Sequence, residues 1–248
     1  MFYGDYHTHT RYSDGAGSVE DNIKAAIGKG LKEIAITDHG KRNPFAMTHR
    51  KILKQRKEIE LYRKKYPEIK ILHGVEADLA DLDGRIDLTE EEIEMLDIVI
   101  AGYHPVALPY GLKSICGITW KTYWADIFKP SNEMIARNTK LMIRMIERNP
   151  IDILPHINTQ FFVDVKEVAK VCIDTDTYME LNEKHADPKV FELLFESGAK
   201  LISDTDAHFP SRVGSFDAAE RFIKENNADV GRLVNAFGAP KFKKKRII

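Results

Sequence analysis

The chain has 248 residues, of which 43% are hydrophobic, and its formal net charge is −1. This length suits a single large α/β enzyme domain, and the near-zero charge argues against a general electrostatic grip on nucleic acid or on an anionic membrane. Because the sequence has no signal-peptide pattern, no apolar run of membrane-spanning length and only two cysteines, Cys116 and Cys172, we expect a cytoplasmic protein whose cysteines are buried packing residues.

The first predicted element is an apolar strand at 2–6 that runs into two histidines separated by one residue. In an extended segment residues i and i+2 point to the same face, so His7 and His9 would present their imidazoles side by side. Neutral imidazole is the commonest side-chain metal ligand. The pattern alone also fits a surface strand with two unrelated histidines, so its recurrence along the chain decides its meaning.

The pattern does recur at the ends of later strand-like segments. Strands predicted at 33–37, 69–75, 98–103, 151–154 and 200–203 lead into Asp38 and His39, Glu76, His104, His156, and the run from Asp204 to His208. A seventh strand is predicted at 177–181. Chance would scatter such residues, whereas ligand-type residues at six strand ends indicate one site.

Helical patterns alternate with these strands almost to the end of the chain. Ser18 with Asp21 at the third following position is typical of a helix start, and Gly30 ends that helix. Further helices are predicted at 48–66, 89–96, 132–148, 164–171, 187–197, 215–226 and 229–237. Such alternation implies parallel strands with helices outside, and in α/β barrels sites gather at the C-terminal strand ends. A doubly wound open sheet would also place a site there.

The ordered series of motifs resembles the PHP family, named for polymerase and histidinol phosphatase. The motifs are His7-Thr8-His9, Thr37-Asp38-His39, Gly74-Val75-Glu76, Gly102-Tyr103-His104, Pro155-His156 and Asp206-Ala207-His208. The resemblance covers nearly the whole chain and implies an α/β fold, a distorted, TIM-like (β/α)7 barrel. We expect one catalytic domain at 1–240 and a basic tail at 241–248. The resemblance also implies two or three divalent metal ions, zinc, manganese or iron, and hydrolysis of phosphate esters.

Carried over motif by motif, the resemblance implies how the ligands divide among the metals. One metal would be surrounded by His7, His9, Glu76 and Asp206. Glu76 would bridge to a second metal, held also by His104 and His156, and a third would be held by His39 and His208. Such clusters generate hydroxide near neutral pH and stabilise the attacking and leaving oxygens. Glu76 and Asp206 are therefore the expected catalytic carboxylates.

The loop after the first two histidines departs from the family pattern. Some members have a histidine there that binds the third metal, whereas this chain has Ser13-Asp14-Gly15. Asp14 is expected to take that place, since a carboxylate is a reasonable ligand for these ions. Ser, Asp and Gly are also common turn residues, so an ordinary turn without a metal ligand is the alternative.

Basic residues near the strand ends are candidates for binding the substrate phosphate. Arg212 follows the last predicted ligand closely and is expected to clamp phosphate, since arginine offers two parallel donors. Lys41 and Arg42 follow the second strand and are expected to assist, with a solvated basic loop as the alternative. His185, beyond the sixth strand, is expected to line the pocket, with a surface histidine as the alternative.

Four further polar residues are candidates for supporting the site. Asp38 and Asp204 flank predicted ligands and would orient them, although each also suits a turn or a helix start. Glu180 and Asn182 share one face of the sixth strand, so one of them is expected to reach the site.

Two segments lie outside this regular pattern. The stretch at 105–130 is rich in aromatic residues with little helical pattern, and a long loop at an active face is often functional. We consider a lid over the substrate, with a packed excursion or an oligomer contact as the alternatives. The basic run at 241–246 is interpreted as a solvated tail, with nucleic-acid contact as the alternative.

The expected function is metal-dependent hydrolysis of a small phosphate monoester, without a membrane partner. Histidinol-phosphate phosphatase is the specific alternative. A phosphodiesterase or nuclease is another, against which the near-zero charge weighs. A non-catalytic metal-binding PHP module and a hydrolase of C–N bonds are alternatives from other classes. The sequence leaves the substrate, the native metal and the oligomeric state open.

Overall fold

In the computed structural model, which describes residues 2–45, 47–120 and 130–243, seven strands form one sheet in chain order. The strands are β1 (Gly4–Asp5), β2 (Glu33–Ile36), β3 (Lys70–Asp78), β4 (Ile98–Gly102), β5 (Ile153–Leu154), β6 (Tyr178–Asn182) and β7 (Leu201–Asp204). Every neighbouring pair is parallel. Each predicted strand therefore has its counterpart in the structure.

The sheet closes on itself through the segments that follow β1 and β7. The N–H of His9 donates to the carbonyl of Ala207 at 2.9 Å, and the N–H of Ala207 donates to the carbonyl of His7 at 3.3 Å. One carboxylate oxygen of Asp204 accepts the N–H of Tyr6 at 2.7 Å, so this acid helps to join the first and last strands. The predicted (β/α)7 barrel is confirmed as seven parallel strands in a nearly closed barrel.

Helices cover the outside of the barrel. Those in the described part of the chain are α1 (Val19–Gly28), α2 (His49–Lys65), α3 (Glu90–Glu94), α4 (Gly111–Ser114), α5 (Asn132–Arg148), α6 (Val165–Asp174), α7 (Pro188–Glu196) and α8 (Asp217–Asn226). Six of these eight helices begin after a Ser, Thr or Asp whose side chain accepts a backbone N–H of the first turn. Such caps satisfy donors that have no partner inside the helix.

The inside of the barrel is apolar in the half towards the N-terminal ends of the strands, here called the lower half. It is polar in the half towards their C-terminal ends, here called the upper half. The lower half is filled by Tyr6, Ala35, Leu72, Ile98, Ile100, Ile153, Tyr178 and Ile202. Because side chains alternate along a strand with a period of two, the same inward face of β3 carries Leu72 and then Glu76. The inward face of β6 likewise carries Tyr178 and then Glu180. This change of residue type gathers buried carboxylates at the C-terminal strand ends.

The predicted helix at 229–237 was wrong beyond its first turn. Only a 3-10 turn, Val230–Arg232, forms there. Leu233 instead makes a parallel bridge with Leu201, and the side-chain amide of Asn235 donates to the carbonyl of Ser203 at 2.7 Å while its oxygen accepts the Ser203 N–H at 3.1 Å. Pairing with β7 draws the backbone out of the helical conformation.

The stretch at 105–130 also differs from the expectation of little helix. Its described part contains α4 followed by a π-helical turn, Ile115–Trp120, while 121–129 lie outside the described residues. Cys116 in that turn is exposed, so the prediction that it is buried was wrong; Cys172 is buried as predicted. Of the five aromatic residues on which the lid hypothesis rests, those at 123, 124 and 128 fall in the part that is not described, so the lid stays a prediction.

The first residues of the basic tail pack against the lower end of the barrel. The Phe242 ring lies 5.2 Å from the Tyr6 ring, centroid to centroid, and the N–H of Lys243 donates to Asp152 Oδ1 at 2.7 Å. For 241–243 this differs from a solvated tail, because Phe242 extends the apolar layer inside the barrel. The remaining residues, 244–248, are not described.

His73 on β3 gives a prediction about acid stability. It is 1% exposed, and neither ring nitrogen has a hydrogen-bond partner among the described residues. Burial lowers the pKa of His73 from 6.5 to about 4. Between these values the unfolded chain binds a proton that the folded chain does not, so the free energy of unfolding falls as the pH drops through this window.

We expect the wild-type protein to lose about 2 kcal/mol more stability than His73→Phe between about pH 7.5 and about pH 5. The measurement is urea unfolding of both proteins at the two pH values with chelator present, so that other titrating groups cancel in the difference. Equal losses in the two proteins would contradict the assignment.

Candidate metal centre

Glu76, near the C-terminal end of β3, lies at the centre of the polar half of the barrel and is 1% exposed. Five imidazoles converge on its carboxylate: His7, His9, His39, His104 and His156. Oε2 lies 3.2, 3.4 and 3.0 Å from the nearest ring nitrogens of the first three. Oε1 lies 3.3 and 2.9 Å from those of the last two. The two oxygens thus divide the five histidines between them, which suits a bridging carboxylate.

Asp14 and Asp206 extend this arrangement on one side. Asp206 Oδ1 lies 3.3 Å from His9 Nε2 and 3.3 Å from His208 Nδ1. Asp14 Oδ2 lies 3.4 Å from His39 Nε2 and 3.2 Å from His208 Nε2. The structure therefore brings all nine sequence-predicted metal ligands into one connected cluster.

The cluster contains three overlapping groups whose ligand atoms lie within 4.8 Å of one another. The groups are His9, Asp14, His39 and His208; His7, His9 and Glu76; and His39, Glu76 and His104. His9 and His39 each belong to two groups, whereas the division implied by the family resemblance gives each of them one metal. Overlapping groups are the geometry expected of ions that share ligands.

Several buried atoms in the cluster have no hydrogen bond among the described residues. They are His7 Nε2, both ring nitrogens of His9, His39 Nδ1 and Glu76 Oε2. A buried polar atom without a partner costs free energy. A divalent cation, which takes imidazole nitrogen and carboxylate oxygen, would satisfy these atoms together. The donor set therefore fits a metal cluster.

Carboxylates hold the far ring nitrogens of two of the histidines. His7 Nδ1 lies 2.7 Å from Glu180 Oε1, and His104 Nδ1 lies 2.8 Å from Asp78 Oδ1. Such contacts fix the tautomer, so that Nε2 faces the cluster. The sequence pointed to the face of β6 that carries Glu180 but missed Asp78. The signal for Asp78 was available, because it follows Glu76 by two residues on the same strand face.

The loop after β1 is folded so that Asp14 reaches the cluster. Asp38 accepts the N–H of Thr10 at 2.8 Å and its hydroxyl at 2.7 Å. A Cβ on Gly15 would lie 2.4 Å from a backbone carbonyl oxygen of the preceding segment, so only glycine fits this tight turn. In these contacts Asp38 binds the loop that presents Asp14 rather than a ligand imidazole.

Two of the candidate ligands have left-handed backbone conformations, which residues other than glycine rarely adopt. The φ angles are 29° at His156 and 50° at Asp206. Each such residue costs about 1–3 kcal/mol, and this strain is typical of functional sites. Glu180 Oε2 helps to hold the first of them by accepting the His156 N–H at 2.8 Å.

Within the cluster, the histidines stabilise the ionised carboxylates, and the carboxylates stabilise the protonated histidines. Burial opposes ionisation of the carboxylates, but the neighbouring histidines hold the pKa values of Glu76 and Asp206 well below the ordinary range. Burial also opposes protonation of His39 and His208, yet contacts with the carboxylates raise the pKa of each to about 9. A metal ion entering this site would displace protons from imidazoles, so its binding should weaken as the pH falls.

Three of the predicted phosphate-binding residues, Lys41, Arg42 and Arg212, are not found in the described wall of the cavity that adjoins the cluster. Lys41 Nζ is 2.7 Å from Glu92 Oε2, and the Arg42 guanidinium donates to backbone carbonyls at 108–109. Arg212 is exposed in a short 3-10 turn. None of these three basic residues is among the described residues that line the adjacent cavity. Their roles stay predictions.

A cavity of about 220 Å³ opens beside the cluster. The candidate ligands along it are Asp14, His39, His104, His156, Asp206 and His208. The rest of its wall combines apolar side chains, including Tyr103, Phe161 and Met142, with the amides of residues 158 and 160. His185 lines the cavity as predicted, and so does Lys184, which the sequence did not single out.

Residues 5–232 match the family model described as the PHP domain. The chain belongs to the PHP family. A protein of Caldanaerobacter subterraneus named "probable phosphatase" is 31% identical over 93% of this chain and 86% of its own length. A protein of Yersinia enterocolitica with the same name is 28% identical over 95% of this chain and 90% of its own length. The family predicted from the motifs is confirmed.

Among solved structures, this PHP chain resembles a histidinol phosphate phosphatase from Lactococcus lactis that was crystallised with zinc, L-histidinol and phosphate. The TM-score is 0.62 at 17% identity, and the match covers 92% of this chain and 94% of the other. At that identity the likeness shows that the two share the barrel fold.

Adding zinc or manganese to the chelator-treated PHP protein should raise its Tm. A ligand that binds only the folded state contributes about 2.7 kcal/mol at a concentration of about 100 Kd, which corresponds to roughly 5–10 °C for a chain of this size. Calorimetry with increasing metal measures the shift. Glu76→Gln, which keeps the shape but removes the charge, should lose most of it. A wild-type Tm that does not respond to either metal would contradict the site.

Glu180→Gln should lower metal affinity about 10–100-fold, because the imidazole of His7 loses the carboxylate that orients it. Competition with a chromogenic chelator measures the affinity. Glu192→Gln, an exposed acid on α7, serves as the matched control and should bind metal like the wild type. Unchanged affinity in Glu180→Gln would show that the contact with His7 has no such role.

Proposed function

We propose that this chain is a metal-dependent phosphoesterase that hydrolyses a small phosphate monoester. The observation that carries the proposal is the clustering of nine ligand-type side chains, with the buried Glu76 carboxylate at their centre, directly beside a cavity. The prediction of an enzyme of the phosphatase type is confirmed by its PHP family and by its relatives named probable phosphatases.

The metal ligands in this proposal are His7, His9, Asp14, His39, Glu76, His104, His156, Asp206 and His208. They suit two or three divalent ions, and zinc, manganese and iron all accept this mixture of nitrogen and oxygen donors. Bound ions of this kind supply Lewis acidity and bring water towards ionisation near neutral pH. The number of ions and the native metal stay predictions.

The chain's own residues supply orientation and charge balance. Glu180 and Asp78 fix the ring orientations of His7 and His104 through contacts of 2.7 and 2.8 Å. The buried carboxylates balance the charge that several cations would bring together. His185, whose Nε2 lies 3.7 Å from Asp206 Oδ2, lines the cavity and is assigned to substrate binding.

The residues that line the cavity indicate whether the leaving group of the substrate is charged. Among its described lining residues, the carboxylates are those of Asp14 and Asp206, and both belong to the cluster. A leaving group with a positive charge would find no separate acidic partner among them. The apolar and amide wall instead suits a small, uncharged organic group. This favours an uncharged leaving group over the ammonium-bearing histidinol.

Histidinol phosphate nevertheless stays the second candidate because of one observation. The rings of Tyr103 and Phe161, whose centroids lie 4.6 Å apart, both line the cavity beside His156. Aromatic faces of this kind can stack on a flat ring such as imidazole. A direct comparison of esters therefore decides between the two candidates.

Several finer expectations stay proposals. We propose one catalytic domain over 1–240 and a cytoplasmic location. No helix in the described part of the chain is long and apolar enough to cross a membrane. A phosphodiesterase, a hydrolase of C–N bonds and a non-catalytic metal-binding module are the competing functions that the following experiment separates.

The metal-loaded protein should hydrolyse p-nitrophenyl phosphate faster than its bis-ester, and should also be assayed with histidinol phosphate. Asp206→Ala should lower kcat/KM for the preferred ester by about 100-fold or more, since it removes a group that organises charge at the reacting centre. Asp174→Ala, at an exposed helix end, is the control and should keep full activity.

Three results would contradict the proposal. Retained monoester activity in a correctly metal-loaded Asp206→Ala protein would remove that residue from the centre. Preference for the bis-ester would indicate a phosphodiesterase. Bound metal without turnover of any ester would indicate C–N hydrolysis or a binding module, which a panel of amide substrates then distinguishes.

A further inference from the structure

Lys184 places an ammonium group at the edge of the metal-ligand cluster. It follows the end of β6 by two residues, and its side chain is 42% exposed. Nζ lies 3.5 Å from Asp206 Oδ1 and 3.3 Å from each ring nitrogen of His208. The side chain also lines the cavity. One cation therefore faces both the cluster and the space available to a substrate.

The other basic residues near the strand ends are used differently. Within the described cavity wall, Lys184 is the one lysine or arginine side chain. Lys41 pairs with a buried glutamate, and Arg42 donates to backbone carbonyls. A phosphate group in the cavity would thus meet the side chain of Lys184 rather than either of those residues.

The backbone around Lys184 is held in place on both sides. The N–H of Glu183 donates to the carbonyl of Asp204 at 3.0 Å, and the N–H of His185 donates to Asn182 Oδ1 at 2.9 Å. The Glu183 carboxylate in turn accepts two N–H groups of the first turn of α8, at 2.8 and 2.7 Å. A fixed backbone limits the positions that the long lysine side chain can reach.

We propose that Lys184 binds a nonbridging oxygen of the substrate's phosphate group, a role that rests on the proposed phosphoesterase function. Its present partners, Asp206 and His208, are candidate metal ligands that would hold a bound ion. Their lone pairs would then be used by the ion, which would leave the donors of the Lys184 ammonium available to a phosphate beside the cluster. Lysine binds phosphate as a compact point charge with three donors.

The short distances select the phosphate rather than the leaving group as the partner of Lys184. A substrate atom within hydrogen-bond reach of Nζ also lies close to Asp206 and His208, because these are within 3.5 Å of Nζ. In a phosphoester positioned for hydrolysis, the phosphate is the part that lies against the metal ligands. The leaving group extends towards the apolar wall.

The test uses inorganic phosphate, the common product of monoester hydrolysis, as a binding probe for the metal-loaded protein. Lys184→Met should raise the Kd of phosphate, measured by calorimetry, about 10- to 100-fold, the size expected when a hydrogen bond to a charged group is lost. The KM for p-nitrophenyl phosphate should rise with it. Metal content should stay at the wild-type level, and Lys184→Arg should recover part of the loss.

Lys189→Met, an exposed lysine on α7, is the matched control and should bind phosphate like the wild type. Unchanged phosphate binding in Lys184→Met would overturn the inference. So would a loss of metal from that variant, since Lys184 would then serve the ligands rather than the substrate.

The two levels of proposal fail in different ways. If the wild-type protein turns over phosphate esters but its phosphate affinity does not depend on Lys184, only the role of Lys184 fails. If the wild type binds phosphate through Lys184 but hydrolyses no ester, the binding role stands and the proposed function fails. If the loaded wild type neither binds phosphate nor hydrolyses esters, both fail.

Discussion

A buried carboxylate needs cations or donors around it, and the upper half of this barrel is built around that requirement at Glu76. The side chain is 1% exposed, and its two oxygens lie within 3.4 Å of five imidazoles. Isolated burial of such a charge is costly, whereas a paired or metal-bound carboxylate is stable. Around this centre, the carboxylates of Glu180 and Asp78 contact the far ring nitrogens of His7 and His104, so the alternation of carboxylates and imidazoles continues beyond Glu76.

Along the barrel axis, the apolar residues that stabilise the fold lie at one end and the candidate metal ligands lie at the other. Apolar side chains fill the lower half, and Phe242 packs against them from below. The polar residues above have strained positions at His156 and Asp206, which cost stability. Close-packed apolar layers inside and outside the strands offset that cost, because burial of apolar surface is the main favourable contribution to folding.

Much of the fold and of the candidate centre was predictable because local patterns determine both. Short apolar runs mark the strands, and parallel strands bring their ends together, so residues such as His39 and His156 could be grouped without coordinates. Lys184 could not be found this way, because its significance lies in its distance to Asp206 and not in its neighbours along the chain. The predicted helix at 229–237 failed because long-range pairing with β7 outweighed local propensity.

The closure between β1 and β7 has a consequence for how the protein is made. The hydroxyl of Thr205 donates to Asp5 across 200 residues of sequence, and the candidate ligands come from both ends of this long loop. During synthesis, His7 and His9 leave the ribosome long before Asp206 and His208 exist. Contacts so distant in sequence form late and slow the folding of a chain. The complete coordination environment therefore exists only after the two ends of the barrel have come together, so a partly folded or truncated chain would offer metal ions a weaker site.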